Sequence, residues 1–149
     1  MVIFNKIKYQ IKDVKTHKDV RGWLAEMVKK SEFKNIPSSF FPKRKKNLEI
    51  KQVVVASINP GHTRGNHYHL KRLEWSLVIN GNAEYYLEDL KTKKRTKIKV
   101  SSKRPKVITI FPGTAHAVKN TSQKIIYIVE AKNNIYNPKK PDSVFYKVI

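Results

Sequence analysis

The sequence predicts an all-β protein built as a small barrel or a sandwich. Three observations support this class. Short runs alternate branched or aromatic residues with polar ones at period two. Turn residues separate these runs at near-regular spacing, and only one modest helical candidate is found, Leu24 to Lys30. Many short strands of this kind are typical of sandwiches and barrels, and a closed barrel leaves an interior that can hold a ligand.

The strands can be placed one by one from this alternation. In chain order they are predicted at residues 48–58, 75–79, 83–90, 96–100, 106–111 and 124–131. His67 and His69 are expected on a further strand. A short loop follows that strand, and Glu74 opens the next one. The dipeptide Asn80-Gly81 lies between two apolar strands, and because both residues tolerate positive φ it indicates a hairpin turn.

The chain of 149 residues has the length of a single domain. Residues 48–149 are expected to form the barrel core, preceded by N-terminal strands and a lid loop in residues 1–47. The end of that first part, IPSSFFPKRKK, has no strand pattern and predicts a loop or lid. Phe40 and Phe41 within it are expected to pack on the barrel mouth or on a partner chain, the former being the simpler role.

The composition is strongly basic, with 32 Lys and Arg against 11 Asp and Glu and a formal charge of +21. Such an excess attracts polyanions, so nucleic acid, an acidic membrane surface and a phosphorylated small molecule are all candidate partners. A nucleic-acid partner is disfavoured, because no recognised nucleic-acid motif accompanies the charge. A membrane-spanning segment is not expected, because no apolar run reaches the required length.

Cysteine is absent, which excludes disulfides, thiolate metal sites and cysteine nucleophiles. The N-terminal sequence also lacks the apolar core of a secretory signal. Together these features predict a cytoplasmic protein whose metal ligands, if any, are imidazoles or carboxylates.

Three of the five histidines lie within residues 62–69. On a strand, His67 and His69 project from the same face, and Glu74 can bring a carboxylate beside them. His116 follows a tight Pro112-Gly113 turn and can supply a third imidazole. This donor set suits Zn, Fe, Mn, Ni or Cu and leaves coordination positions open.

The spacing of these residues resembles the cupin family. Gly61-x5-His67-x-His69-x4-Glu74-x6-Gly81 is similar to the first cupin motif at every fixed position, and Gly113-x2-His116-x3-Asn120 to the core of the second. One departure is that Pro112 stands directly before the glycine rather than two places ahead of it. The resemblance implies a cupin barrel (a double-stranded β-helix, or jelly roll) with at most one short helix.

A narrower resemblance involves RGWLAE (residues 21–26), TRGNHYH (residues 63–69) and the tail elements Asn137-Pro138 and Pro141-Asp142. These look like the sugar-nucleotide branch of cupins, namely the dTDP-4-dehydrorhamnose 3,5-epimerase-like proteins and the C-terminal cupin domain of a capsular polysaccharide epimerase-reductase. The resemblance covers residues 13 to the C-terminus. It implies C3 epimerisation of a nucleotide-linked 4-keto-6-deoxy sugar, a homodimer that exchanges N-terminal strands, and a separate reductase partner. The chain shows no Gly-rich dinucleotide-binding turn.

The resemblance also implies roles for individual residues. A divalent metal, zinc above all, with iron, manganese and nickel as alternatives, is expected on His67, His69, Glu74 and His116. In a metal-free form His67 is instead the candidate base, and the proton donor is expected among Tyr127, Tyr85, Lys71 and Arg72. Arg21 and Arg64 are expected to bind the substrate diphosphate. Trp75 and Tyr85 are further substrate-binding candidates, although Trp75 has packing as its simpler role.

Two other functions remain open at this point. The same four ligands can serve another metal-dependent cupin enzyme, such as a 3,4-ketoisomerase or a dioxygenase. Alternatively, the chain is a non-catalytic module that binds a sugar nucleotide or a metal. A barrel fold alone does not separate these functions.

Overall fold

The computed structural model describes residues 2–4, 8–40 and 48–149, and strands dominate them. The strands are β1 (Val2–Phe4), β2 (Tyr9–Asp13), β3 (Thr16–Asp19), β4 (Gly22–Ala25), β5 (Gln52–Ile58), β6 (Thr63–His69), β7 (Glu74–Val78), β8 (Asn82–Asp89), β9 (Arg95–Ser101), β10 (Lys106–Ile110), β11 (Thr114–Asn120), β12 (Ile126–Lys132) and β13 (Ser143–Phe145). The predicted all-β class is confirmed.

Two antiparallel sheets form the body of the molecule. One has six strands in the order β1-β2-β10-β7-β12-β5, and the other has five in the order β13-β6-β11-β8-β9. From β5 to β12 the chain changes sheet at every connection except the one between β8 and β9. This alternation is the connectivity of a double-sheet jelly roll.

The predicted hairpin at Asn80-Gly81 is wrong, because β7 and β8 belong to different sheets. The Asn80 side chain instead fastens this turn to the start of β12. It donates a hydrogen bond to the Ile125 carbonyl (3.0 Å) and accepts one from the Tyr127 amide (2.6 Å). Gly81 is needed here for two reasons. Its φ is +73°, and a Cβ at this position would lie 2.7 Å from Ser122 Oγ.

The main core lies between the two sheets and contains mainly aliphatic residues, among them Ile58, Leu87, Ile108, Ile110, Ile126 and Ile128. A second core lies on the outer face of the six-stranded sheet. There Trp75, Leu77 and Val107 pack against Phe33 and Ile36 of the N-terminal segment. The N-terminal segment therefore covers one sheet from outside.

The N-terminal segment differs from the prediction in detail. Leu24 and Ala25 belong to β4, and the helices that do form are two short 3₁₀ helices, Lys30–Asn35 and Ser38–Phe40. The predicted helix at 24–30 is therefore wrong. One cause is a hydrogen bond from Lys12 Nζ to the Met27 carbonyl (2.8 Å), which ties this stretch to β2.

The predicted lid is described only in part. Phe40 stacks on Phe111 with ring centroids 4.4 Å apart, so its packing role is confirmed. Phe41 and the basic run at 43–46 lie outside the described residues. Among the described residues, no helix is both long and apolar enough to cross a membrane.

Candidate active site

A β-bulge in β6 determines which of its side chains face the candidate site. His116 of β11 pairs with His67, but the next residue, Ala117, pairs with Gly65, so Asn66 is one residue too many for the ladder. Gly65 and Asn66 both have positive φ, +98° and +56°. A Cβ on Gly65 would lie 2.7 Å from the His116 carbonyl oxygen, so only glycine fits there.

The bulge changes which side chains face the interior. Arg64 pairs with Val118, a residue of the main core, and His67 pairs with His116. Arg64 and His67 are three positions apart and would lie on opposite faces of a regular strand. Because Asn66 is the extra residue, both line the same cavity.

Three imidazoles meet inside the barrel. The ring centroid of His67 lies 4.8 Å from that of His69 and 4.6 Å from that of His116. One nitrogen from each ring lies within 4.8 Å of the others. Glu74 does not belong to this group; its Oε2 lies 3.6 Å from His69 Nε2. The structure thus brings the three predicted histidines together and places the carboxylate beside them.

The outer ring nitrogens of two histidines have protein partners. His116 Nδ1 donates to the Thr114 carbonyl (3.1 Å), and His69 Nδ1 lies 3.2 Å from Ser143 Oγ. His69 Nε2 is buried and has no hydrogen-bond partner among the described residues. A metal-binding histidine commonly has one nitrogen held by the protein and the other free for the ion, so these residues fit a divalent metal.

Burial sets the charge of the histidines. It lowers the pKa of His67 to about 3, with further contributions from His116 and His69, and it also lowers the pKa of His116. Both imidazoles are therefore neutral near pH 7, with a lone pair that can bind a metal or accept a proton.

The pKa values of two carboxylates in the site are shifted in opposite directions. Burial alone would raise the pKa of Glu74, but its close contact with His69 at 3.6 Å and the positive charge of Lys132 outweigh burial, so the pKa is lowered. The pKa of Glu130 is raised by burial and by the charge of Glu74. Glu74 is thus the carboxylate that holds its negative charge more firmly.

The cluster opens onto a cavity of about 210 Å³. Its polar and charged lining consists of Arg64, His67, Arg72, Glu74, His116, Glu130 and Lys132. Glu130 and Lys132 were not predicted from the sequence. The signal was available, because Ile126, Ile128, Glu130 and Lys132 alternate along β12 and so share its inward face.

Both predicted arginines near the first motif line the cavity. Arg64 Nε donates to the Ser57 carbonyl at 2.7 Å. Arg72 is 5 % exposed, and its Nε donates to Asn134 Oδ1 at 2.8 Å. Backbone amides of Lys71 and Arg72 donate to the Asp142 carboxylate. The C-terminal segment thus fixes the loop between the two halves of the first motif.

Other predicted residues lie away from the cavity. Trp75 points to the outer face of the sheet, where it stacks on Phe33 with ring centroids 5.1 Å apart, so its predicted role in substrate binding is corrected to packing. Tyr127 is 44 % exposed and alternates with the inward Ile126 and Ile128. Because its side chain points outward, Tyr127 is not placed to donate a proton in this cavity.

Tyr85 and Arg21 also differ from their predicted positions. Tyr85 is inside the barrel but fully buried, and its hydroxyl lies 2.6 Å from Ser76 Oγ; burial raises its pKa. It does not line the cavity. Arg21 lies in the exposed turn between β3 and β4 and pairs with Asp19. Within one chain, Arg21 is therefore not part of the cavity.

Comparisons with known proteins agree with this fold. ChmJ, a 3'-monoepimerase from Streptomyces bikiniensis solved in complex with dTDP, superposes with a TM-score of 0.77 over 96 % of this chain and 71 % of its own, at 16 % identity. The capsular polysaccharide assembling protein CapF from Staphylococcus aureus superposes with a TM-score of 0.64 over 91 % of this chain and 33 % of its own, at 24 % identity. A double-sheet jelly roll with histidines gathered inside it defines the fold class: the protein has the cupin fold.

Sequence comparison assigns it more narrowly. Residues 38–144 match the family model of the polysaccharide biosynthesis C-terminal domain, and the chain belongs to that family. A curated relative, UDP-2-acetamido-2,6-beta-L-arabino-hexul-4-ose reductase from Pseudomonas aeruginosa, is 27 % identical over 131 residues. The match covers 88 % of this chain and 31 % of the relative. The chain thus spans about a third of the length of this relative and of CapF.

Proposed function

We propose that the protein is an epimerase acting next to the ketone of a nucleotide-linked 4-keto-6-deoxy sugar, at C3, in cell-surface polysaccharide biosynthesis. The observation that carries the proposal is a neutral, partly buried His67 in a cavity that is also lined by the cations Arg64, Arg72 and Lys132. Family membership and the epimerase fold of ChmJ support the same reaction class.

The chemistry needs few groups. A C–H bond next to a ketone can be deprotonated because the electron pair delocalises onto the ketone oxygen as an enolate. His67 is the proposed base, since its neutral ring can take this proton. A proton that comes from water to the other face of the same carbon inverts that centre, and His67 releases its own proton to water, so the reaction is completed without any redox change.

The cavity size suggests how a substrate is placed. Its volume of about 210 Å³ is below the roughly 300–1,000 Å³ of pockets that enclose drug-sized ligands. We propose that only the sugar ring enters and that the diphosphate remains near the rim. Arg64, which is exposed and lines the cavity, is the proposed contact for the phosphates.

A divalent metal, with zinc the first choice, is proposed on His67, His69 and His116. Bound there, the ion would take up the lone pair of His67, so base catalysis by His67 belongs to the metal-free form; in the metal-bound form the ion would polarise the ketone or order the site. Glu74 does not meet the spacing of the three histidines, so its proposed part is to hold His69 rather than to complete the ligand set. Elemental analysis of untagged protein should find about one ion per chain, and the ion should be lost in His69→Ala.

The activity test uses deuterium. The protein is incubated in D₂O with nucleotide-linked 4-keto hexoses, and NMR follows the hydrogens at C3 and C5. Exchange at C3 supports the proposed epimerase. Binding of the sugar nucleotide without exchange would instead support a non-catalytic module, and exchange coupled to movement of the ketone would support a 3,4-ketoisomerase.

We infer further that the protein is a homodimer whose N-terminal arms cross between copies. The hairpin β3–β4 forms a sheet of its own and exposes Val20, Trp23 and Leu24, the last at 62 %. A two-stranded hairpin is marginally stable alone, and exposed apolar groups of this kind mark interaction surfaces. The proposed cover is a second copy, which is also the arrangement in which Arg21 can reach a substrate.

The product of this proposed reaction is still a ketone, so a separate reductase is the proposed next partner. The Pseudomonas aeruginosa relative carries the name of a reductase and is far longer than this chain. A coupled assay with a purified NADPH-dependent sugar-nucleotide reductase would show consumption of the epimerised ketone in preference to the starting one.

A further inference from the structure

Lys132 is the one lysine in the described part of the chain that lines the histidine cavity. It is the last residue of β12, directly opposite Glu74 in the ladder. Its Nζ lies 2.9 Å from Glu130 Oε2 and 3.7 Å from Glu74 Oε2. Its side chain is 11 % exposed, so the ammonium is held inside the barrel.

A lysine in this position is costly to keep for stability alone. Removing an ammonium from water costs several kcal/mol, and a buried ion pair replaced by apolar residues of similar volume is often neutral or stabilising. The inward neighbours on the same strand, Ile126 and Ile128, show that apolar side chains fit this face. The cation therefore calls for a role beyond packing.

We propose that Lys132 is a catalytic residue whose ammonium donates a hydrogen bond to the substrate ketone oxygen and stabilises the enolate that forms there. This inference rests on the proposed epimerase function and deepens it. As His67 removes the proton, the C–H electron pair becomes the enolate double bond and the carbonyl π pair moves to the oxygen. Reprotonation at carbon reverses this flow, so Lys132 ends each turnover in its starting state.

Lys132 differs from the other cations of the cavity in its position beside the histidine cluster. Its Nζ lies 3.7 Å from Glu74 Oε2, the oxygen that lies 3.6 Å from His69 Nε2. An ammonium has three donors, and among the described residues Lys132 Nζ has one close carboxylate partner, Glu130 at 2.9 Å. Its contact with Glu74 is longer, at 3.7 Å, so a donor is left for a ketone oxygen.

Glu74 links the two reacting ends of the cavity. The same oxygen, Oε2, lies 3.6 Å from His69 Nε2 and 3.7 Å from Lys132 Nζ. The histidine cluster and the ammonium therefore face one small space from two sides. A ketone placed there has a base near its α-carbon and a fixed positive charge near its oxygen, which is the arrangement that favours enolate formation.

The test compares Lys132→Met, which keeps the length and removes the charge, with Lys132→Arg. Lys139→Met, at an exposed site, is the control. We expect Lys132→Met to lower kcat for deuterium exchange by about 10²–10³-fold, the loss typical of one oxyanion donor. KM and the Kd for the nucleoside diphosphate should stay within about threefold, and Lys132→Arg should recover part of kcat.

Each outcome of this test supports or contradicts the catalytic role of Lys132 or the epimerase proposal itself. If Lys132→Met exchanges like wild type, the Lys132 inference is wrong while the epimerase proposal stands. If nucleotide binding and the thermal midpoint fall together with kcat, Lys132 is structural and the inference is again wrong. Lys132→Gln, measured alongside, repeats the test of the charge with a smaller, polar side chain. If wild type exchanges none of the 4-keto sugar nucleotides, the proposed function fails and this inference with it.

Discussion

Asn66 Oδ1 accepts a hydrogen bond from the backbone amide of Val148 at 2.8 Å. Its own carbonyl accepts another from the Tyr146 amide, also at 2.8 Å. The residue that makes the bulge before His67 is thus the residue to which the C-terminus is fastened. The position of the C-terminal residues and the orientation of His67, the proposed base, therefore both depend on the Asn66 side chain.

This relationship predicts different effects for two changes at Asn66. Asn66→Asp keeps an acceptor and tolerates positive φ, so its stability should be close to wild type. Asn66→Ala loses the acceptor and adds backbone strain, and should cost about 2–3 kcal/mol. Urea unfolding followed by Trp fluorescence measures both. Equal stability of the two variants would show that the bulge does not depend on this amide.

Gly65 offers a sharper test of the bulge. Gly65→Ala places a Cβ against the His116 carbonyl oxygen, and it also strains a φ of +98°. Gly61→Ala is the matched control, because φ is +73° there but nothing lies within 4 Å of the new Cβ. The control should lose about 1–2 kcal/mol from strain alone, and Gly65→Ala clearly more.

Metal binding by the same two variants, Gly65→Ala and Gly61→Ala, distinguishes general backbone strain from specific damage to the histidine site. Gly65→Ala displaces the strand that carries His116, so it should lower both metal content and deuterium exchange. Gly61→Ala should retain them. Loss of metal to the same extent in both variants would mean that general destabilisation, and not the contact with His116, governs the site.

The sequence predicted the site better than the faces of its strands. The two cupin motifs placed His67, His69 and His116 together because fixed spacings on paired strands leave little freedom. Trp75 and Tyr127 were wrongly drawn into the site, although alternation already separates Trp75 from Glu74. The strand face of Arg64 could not be predicted from alternation, because the extra residue Asn66 reverses the alternation between Arg64 and His67.

Two further features could not be predicted from local patterns. Asn80-Gly81 has the composition of a hairpin turn, but strand pairing is set by long-range packing, which sends β7 and β8 to different sheets. The ion pair between Lys132 and Glu74 joins residues on neighbouring strands far apart in sequence. A buried lysine is uncommon, so its place in the cavity becomes evident only when β12 is seen beside β7.

Ser143 should tune the proposed metal site without touching the ion. Its hydroxyl lies 3.2 Å from His69 Nδ1, while the other ring nitrogen, Nε2, makes no hydrogen bond to the described residues. Partners of this kind orient a ligand histidine, and their removal typically costs 10–100-fold in metal affinity. Ser143→Ala should therefore weaken Zn²⁺ binding by about that factor in competition with a chelating dye.

The control for Ser143 is Ser102→Ala, in the loop after β9, a residue that does not line the histidine cavity. It should bind Zn²⁺ like wild type. Ser143→Thr, which retains the hydroxyl, should recover part of the affinity. Unchanged binding in Ser143→Ala would show that the hydroxyl does not orient His69.

The arm hairpin can be tested by its oligomeric state. Leu24→Asp places a charge in the exposed apolar surface of β3–β4, and Ile135→Asp does the same at an exposed residue outside the arm. If the arm crosses to a second copy, Leu24→Asp should convert the dimer to a monomer in light scattering after gel filtration. Ile135→Asp should remain dimeric. A monomeric wild type, or a dimeric Leu24→Asp, would contradict the crossing arm.

Glu88 should make stability depend on acid pH. The carboxylate is 2 % exposed, accepts a hydrogen bond from the Tyr146 hydroxyl and pairs with Arg95 at 2.7 Å. The Tyr146 hydrogen bond, opposed by burial and aided by Arg95 and Lys93, lowers its pKa below the ordinary 4.5. A group whose pKa is lower in the folded state stabilises the fold above the unfolded-state pKa, and this contribution disappears as the pH falls through the folded-state pKa.

Glu88→Gln isolates this contribution, because the amide keeps the shape and cannot ionise. Wild type should be more stable than the variant at pH 7, and the difference should shrink steadily from about pH 4.5 downward. Urea unfolding at pH 7, 5, 4 and 3 measures the difference. Because Tyr146 lies in the segment that Asn66 fastens, Tyr146→Phe should reduce the same pH-dependent difference, and a difference that is constant from pH 7 to 3 would show that the Glu88 charge does not hold the C-terminal segment in place.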